Sequence, residues 1–318
     1  MLIIYLAIFA ISSFILIRSG ALVVRVLARI SLFLAISEFV VSFILMAFVT
    51  SLPEIFVSIG AAISDNSVLA FGNNVGSNIL YPTLLIGLVA ILGRKLYLKG
   101  EIFQRDNIYS SIIAILPFLF MIDLKLSRLE GFILVAVFFI YLIRILKQRK
   151  VFSKIYQNSI VADLEHFRGF LKEVLLFIAG IIFLMLSSWG IVTSAVQIAE
   201  ILNFPLILIG IFLVAIGVAL PELVFSVKAV IQGHKDMIMG NMFGSLVVNS
   251  GFALGIAAII SPVVISNRSF FYVSAGFGVL SLLLFGYLAR TREALSWREG
   301  MILIFLYFIF VVLEFMIK

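Results

Sequence analysis

The sequence predicts an all-α, polytopic membrane protein of about ten transmembrane helices, built as two inverted-topology five-helix repeats. Three observations point there. The composition is 64% hydrophobic and only 12% charged, with a mean hydropathy of +1.26, more apolar surface than a soluble domain can hide. Apolar runs of near-membrane length follow one another along all 318 residues. Motifs between residues 47 and 77 also recur at one constant spacing in the second half of the chain. An outer-membrane barrel would need apolar and polar residues to alternate along each strand; Val174–Met185 and Ile302–Leu313 do not. With no cysteine in the chain, disulfides, thiolate metal sites and cysteine nucleophiles are all excluded.

The first five spans run roughly Leu2–Ile17 (extending as far as Ile30), Glu38–Ile63, Leu69–Leu92, Tyr109–Ile122 and Leu129–Leu146. The second five are about Phe170–Ile198, Phe204–Ile231, Met237–Ile260, Phe270–Ala289 and Met301–Met316. Each is near the ~20 residues that a bilayer core requires, the fourth being short. The first lacks a basic leader and an A-x-A site and is followed by Arg18, so it reads as a retained helix rather than a signal peptide. The organisation is thus a first repeat over 1–147, a linker over 148–169 and a second repeat over 170–318.

Basic residues orient the bundle. All but four of the 23 Lys and Arg lie in connections after odd-numbered spans, the exceptions being Lys125, Arg128, Arg268 and Lys318. By the positive-inside rule both termini face the extracellular side and the polar linker is cytoplasmic. That linker reads as a solvated, positive-inside connection in preference to a calmodulin- or lipid-binding site. The net charge of +7 is then topology, with no nucleic-acid partner implied. The lack of a transit peptide favours a prokaryotic plasma membrane.

The halves are related by an offset of 168 positions. It carries Ala47 to Ala215, Leu52-Pro53-Glu54 to Leu220-Pro221-Glu222 and Ser58 to Ser226. It also carries Gly72-Asn73 to Gly240-Asn241 and Gly76-Ser77 to Gly244-Ser245. An odd number of spans per copy makes the second enter from the opposite side, the inverted-repeat plan of many secondary transporters, with binding expected at the midplane.

Each copy sets a proline beside a carboxylate inside an apolar run. Proline has no N–H and clashes with the carbonyl four residues back, so the helix is disturbed just before Glu54 and Glu222. Freed carbonyls are tolerated in lipid only where something satisfies them, and a cation does so. Ala47, Thr50, Ser51 and Glu54 fall on one helix face. Two carboxylates neutralise one divalent ion, and oxygen-only ligation favours Ca²⁺ or Na⁺ over zinc or copper. The bland alternative is that both glutamates are protonated or only bridge helices. An ionised carboxylate at the bilayer centre costs about 2.5–3.5 kcal/mol on insertion scales, which speaks for a symmetric functional pair. In the partner motifs Gly72-Asn73-Asn74-Val75-Gly76-Ser77-Asn78 and Gly240-Asn241-Met242-Phe243-Gly244-Ser245, glycines let helices approach. Ser77 and Ser245 offer hydroxyl ligands, though small residues also serve plain packing.

"TSLPE" with "GNNVGSN", repeated as "ALPE" with "GNMFGS", resembles the alpha repeats of the Ca²⁺/cation antiporter superfamily, nearest to prokaryotic Na⁺/Ca²⁺ exchangers. The resemblance covers the whole ten-span layout and implies alternating access without a cofactor, the transported ions being Ca²⁺ and Na⁺. It implies Ca²⁺ held by Glu54, Glu222 and backbone oxygens at Thr50 and Val218. One implied Na⁺ site uses Ala47, Thr50, Ser51, Ser77 and Glu222; its mirror uses Ala215, Val218, Ala219, Ser245 and Glu54. The chain departs from the pattern in two places. Val218-Ala219 stands where T-S is usual, which takes a hydroxyl from the mirror site. Tyr81 and Asn249 stand where the family commonly has an amide and an acid, so a third central acid is absent, against a potassium-dependent exchanger. Tyr81 either donates its hydroxyl to Glu54 or Glu222, or fills space.

Glu38, Glu173, Glu200 and Glu314 read as interfacial or capping, Lys228 as snorkelling. The two histidines, His166 and His234, fall in cytoplasmic connections. The expected partners are Ca²⁺, Na⁺ (or H⁺) and the lipid bilayer; the oligomeric state is open, a monomer being compatible. The alternatives are an H⁺/Ca²⁺ antiporter or exchanger of another cation on the same fold, a channel or sensor, and an intramembrane acid/base enzyme. Gly76, where H⁺-coupled relatives carry an acid, speaks against the first. The absence of H-E-x-x-H and G-x-S-x-G speaks against the last.

Overall fold

The structure, a computed structural model, describes residues 1–33, 48, 51–97, 101–148, 164–231, 235–291 and 294–317. The chain is dominated by helices: α1 (Leu2–Phe33), α2 (Leu52–Ile63), α3 (Ser67–Leu80), α4 (Ile86–Gly93), α5 (Glu101–Phe120), α6 (Arg128–Gln148) and α7 (Leu164–Leu202). The short turns Leu206–Leu208 and Ala215–Val218 come next, then α8 (Leu220–Ile231), α9 (Lys235–Val247), α10 (Leu254–Ile260), α11 (Arg268–Thr291) and α12 (Trp297–Met316). Among the described residues, six helical stretches are long and apolar enough to cross a membrane. Shorter apolar helices cover Leu52–Ile63, Asn107–Asp123 and Leu206–Val218. The chain is therefore a multi-pass, helical membrane protein.

Several ends have local causes. Asp65 (φ 56°) and Asn203 (φ 52°) close α2 and α7 in the left-handed conformation. In each case that residue's own amide and the next one turn back onto the final helical turn, the latter as Asn66 N–H to Ala61 O and Phe204 N–H to Ala199 O, at 2.8 and 2.9 Å. Glu130 and Glu299 reach back to the backbone N–H of Ser127 and Ser296, each at 2.7 Å, and so start α6 and α12 with matching capping boxes.

Elements recur at the sequence offset. α2 (Leu52–Ile63) maps onto α8 (Leu220–Ile231) without a shift, and α3 and α4 map onto α9 and α10. Between the latter helices the hydrogen-bond register loosens to a π-helix at Tyr81–Leu85 and again at Val248–Ala253. Two small antiparallel ribbons join the halves: β1 (Lys95–Tyr97) with β4 (Ala294–Ser296), and β2 (Lys125–Leu126) with β3 (Val263–Val264).

Burial separates a core from a rim. The apolar stretches of Ser67–Gly93 and Ile238–Ile260 are 78% inside the protein, against 28% for Leu2–Val23 and Gly169–Leu202. α1 and α7 pack along each other and turn large side chains such as Phe14, Leu186 and Trp189 outward, as lipid contact demands. Their inner faces touch the central helices: Gly20 lies against Pro53, and Gly217 against Phe9.

The structure revises some expected boundaries. The first span continues to Phe33, and α7 begins at Leu164, inside the stretch read as linker. The seventh span is not one helix: a π segment at Ile209–Val214 and a turn at Ala219 divide it. Glu38, His234 and most of the linker lie outside the described residues.

Candidate cation site

Two corners form the centre. Ser51 caps α2 with φ −86° and ψ 4°, and Pro53 lies in the first turn. At the equivalent point Ala219 ends the turn Ala215–Val218 with φ −81° and ψ −1°, and α8 resumes with Leu220 and Pro221. Proline cannot donate, so Pro221 leaves the Gly217 carbonyl without its helical partner. Glu54 and Glu222 follow the prolines directly and are 0% and 1% exposed.

Glycines bring the flanking helices close. A Cβ on Gly72 would lie 2.7 Å from Ile207 O and 3.1 Å from Gly210 Cα; one on Gly76 would lie 2.6 Å from Ala215 Cβ. Only hydrogen fits there, so α3 packs directly on the segment that carries Ala215 and Val218, both fully buried. Ser77 and Tyr81 lie one helical turn apart on this helix and its continuation.

Tyr81 Oη donates to Glu54 Oε1 at 2.9 Å, so the tyrosine bonds the first-half glutamate instead of merely filling space. Asn249, from the opposite half, donates through Nδ2 to Tyr81 Oη at 3.5 Å. Glu222 occupies the equivalent corner of the second half and is buried as deeply as Glu54. Glu54, Tyr81 and Asn249 therefore meet in one buried cluster, with Glu222 buried at the matching corner. Ser51, Ser77 and Ser245 are buried as well. Among the described residues, Ser51 Oγ, Ser77 Oγ, Ser245 Oγ, Glu54 Oε2, both Glu222 carboxylate oxygens and Asn249 Oδ1 have no hydrogen-bond partner.

Buried oxygens without partners are costly. Several of them around two carboxylates make a donor set of hard oxygens, the chemistry of Ca²⁺ and Na⁺. Among the described residues, no cluster of three His, Cys, Asp or Glu is present, and Glu54 and Glu222 are the acidic groups those residues bring to the two corners. Ala47 and Thr50, expected as ligands, lie outside the described residues.

Two features escaped the sequence. Asn74 and Asn78 both donate to Ser250 Oγ, at 3.2 and 2.8 Å, and Asn78 also reaches Ala114 O at 3.3 Å. This polar knot ties α3 to the π segment of the second half. Its only sequence signal was amides and a serine inside apolar runs, because Ser250 aligns with Pro82 in the repeat. The second is a correction. Glu314, expected at the interface, is fully buried and accepts a hydrogen bond from Ser274. Glu200 is exposed and accepts from Gln197 at 3.0 Å, in keeping with a helix-end role.

Comparisons with known proteins agree on one family. The family model described as sodium/calcium exchanger protein matches residues 4–147 and 172–316. Sodium/calcium exchanger MaX1 of Methanosarcina acetivorans is 27% identical over 319 residues, covering 89% of this chain and 91% of that protein. Putative antiporter CaxA of Alkalimonas amylolytica is 30% identical over 281 residues, covering 85% and 86%. A structure of the sodium-calcium exchanger NCX_Mj, soaked with Na⁺ and Sr²⁺, superposes with a TM-score of 0.67 at 27% identity, covering 98% of this chain and 99% of that one.

Proposed function

The chain belongs to the sodium/calcium exchanger family, and we propose that it is a secondary antiporter that exchanges Ca²⁺ for Na⁺ by alternating access. The observation that carries this is the pair Glu54 and Glu222, both buried one residue past matched prolines, with carboxylate and hydroxyl oxygens there that lack partners among the described residues. Ca²⁺, as substrate, would bind between them. Glu54 Oε2 and both Glu222 oxygens would supply charge, and the Val218 and Thr50 carbonyls neutral oxygen. Na⁺ would use Ala47, Thr50, Ser51, Ser77 and Glu222 on one side, and Ala215, Val218, Ser245 and Glu54 on the other. Asn249 orients Tyr81. The family match speaks for a transporter over an intramembrane enzyme.

An inverted pair of five-helix repeats, 1–147 and 170–318 about a cytoplasmic linker, fits the recurrence of elements at the sequence offset. The ribbons support the same topology, since each joins connections that the charge pattern assigns to one side: β1 with β4 within, β2 with β3 without. Glu54 and Glu222 are 0% and 1% exposed, so in this reading the site would open to each face in turn to admit ions. The charge pattern supports placing both termini outside, and a plasma-membrane location belongs to the same proposal.

Reconstituted protein tests this through ⁴⁵Ca²⁺ uptake into vesicles loaded with Na⁺, against an outward H⁺ gradient and a gradient-free control. Uptake on the Na⁺ gradient alone is expected. Uptake on the H⁺ gradient alone would replace Na⁺ by H⁺ as the counter-ion, and uptake under neither would sink the antiporter.

A further inference from the structure

Two neighbouring links join the first half to the π segment of the second. Asn249 Nδ2 reaches Tyr81 Oη at 3.5 Å. The next residue, Ser250, accepts from Asn78 Nδ2 at 2.8 Å and from Asn74 Nδ2 at 3.2 Å. Asn78 and Tyr81 are three residues apart on one continuous helical stretch over 67–85, so the links lie side by side like rungs. They differ in strength. An N–H···O bond is at its best near about 2.9 Å and is weak at the length of the Asn249 link. That link does not by itself set the distance between the two segments. The Ser250 link, short and doubled, does.

Asn78 is braced in its turn. Its Nδ2 also reaches Ala114 O on α5 at 3.3 Å and Asn74 Oδ1 at 3.4 Å, whereas its Oδ1 has no partner among the described residues. The side chain works as a donor that holds three elements at once. The segment it holds is a π-helix, Val248–Ala253, a form that is rare and frequent at functional sites. The knot is also one-sided. At the repeat spacing Asn74, Asn78 and Ser250 correspond to Met242, Leu246 and Pro82, which carry neither amide nor hydroxyl. Met242 and Leu246 are buried all the same, so packing alone does not call for the amides. Tyr81 and Asn249 are each other's counterparts at that spacing, and the knot stands directly beside their contact.

Resting on the reading of a Ca²⁺ site at Glu54 and Glu222, we propose that Asn78, through Ser250, is a positioning residue for Ca²⁺ binding. It holds the second-half π segment where Asn249 meets the Tyr81 hydroxyl. Tyr81 then gives its proton to Glu54 Oε1 and keeps that carboxylate turned with Oε2, which has no partner among the described residues, free for the ion. Asn74 supports the same link.

The test is a double-mutant cycle read by equilibrium binding of ⁴⁵Ca²⁺ to the full chain in detergent. Tyr81→Phe should weaken Ca²⁺ binding by about tenfold or more, the effect of losing a hydrogen bond to a charged group. Asn78→Ala should weaken it by about 3- to 10-fold in the wild type. In the Tyr81→Phe background it should change affinity by no more than about twofold, because its route to Glu54 is already cut. A tie that serves only stability would lower affinity by the same factor in both backgrounds, and that result overturns the proposal. Unchanged affinity in folded Asn78→Ala or in Tyr81→Phe overturns it as well. Ser250→Ala runs the same cycle with the milder loss of stability and should show the same dependence on Tyr81. Wild-type protein that binds no Ca²⁺ would instead overturn the site reading beneath it.

Discussion

Replacing Glu222 by Gln should weaken Ca²⁺ binding and yet make the ion-free protein more stable. Both Glu222 oxygens are buried and lack partners among the described residues, so the group gains little from the protein and its role lies with the ion. Gln keeps the shape and removes one of two charges facing a divalent cation. Losing one side of a buried charge pair costs about 3–5 kcal/mol, hence Ca²⁺ affinity should fall by about 10²- to 10⁴-fold. In the absence of cations, an uncharged amide relieves desolvation by about 1–2 kcal/mol, a rise of a few degrees in melting temperature. Thermal unfolding in detergent with and without Ca²⁺ reads both effects. Wild-type protein at about 100 times its Kd should gain about 2.7 kcal/mol from Ca²⁺; the variant at the same concentration should gain almost nothing. A Ca²⁺-induced shift in Glu222→Gln equal to that of the wild type would refute the reasoning.

Gly72→Ala should destabilise by about 1–3 kcal/mol, because its Cβ would meet backbone at Ile207 and Gly210. Its repeat counterpart, Gly240→Ala, meets nothing within 4 Å among the described residues and should be neutral or gain up to about 1 kcal/mol of helix propensity; equal melting shifts in the two would contradict the packing. Asn78→Ala removes the side chain that joins Ser250 and Ala114 and should cost about 1–3 kcal/mol. Ser250→Ala should cost less, since Asn78 and Asn74 can still bond each other, and a reversed order by denaturation would count against that network. Ser274→Ala strips the buried Glu314 of its donor and should cost about 1–3 kcal/mol. Its Na⁺-driven Ca²⁺ flux per folded molecule should be unchanged, and a selective loss of flux would tie Glu314 to transport.

What was legible in the sequence is what carries a cost in lipid. A proline beside a carboxylate is expensive inside an apolar helix, so Pro53-Glu54 and Pro221-Glu222 stood out, and their constant spacing exposed the repeat. The glycine pair Gly72 and Gly76 was readable for the same reason, since an apolar helix gains from a larger residue unless a neighbour forbids it. The π segments at Tyr81–Leu85 and Val248–Ala253 were not readable; a change of hydrogen-bond register leaves no trace in composition. The choice of Tyr81 between Glu54, Glu222 and plain packing depends on the helix rotation set by Gly72 and Gly76. Glu314 was misplaced because its donor, Ser274, lies on another helix. Distance from the chain end is a poor guide to burial when α12 packs against α11.

The most direct test of the central claim is to locate the ion itself, by soaking crystals of the protein in Sr²⁺ and collecting anomalous diffraction. The result expected is a strong peak between the Glu54 and Glu222 carboxylates, with oxygens at roughly 2.3–2.6 Å as for Ca²⁺. A peak elsewhere, or carboxylates bonded to neighbouring side chains with no ion between them, would contradict it.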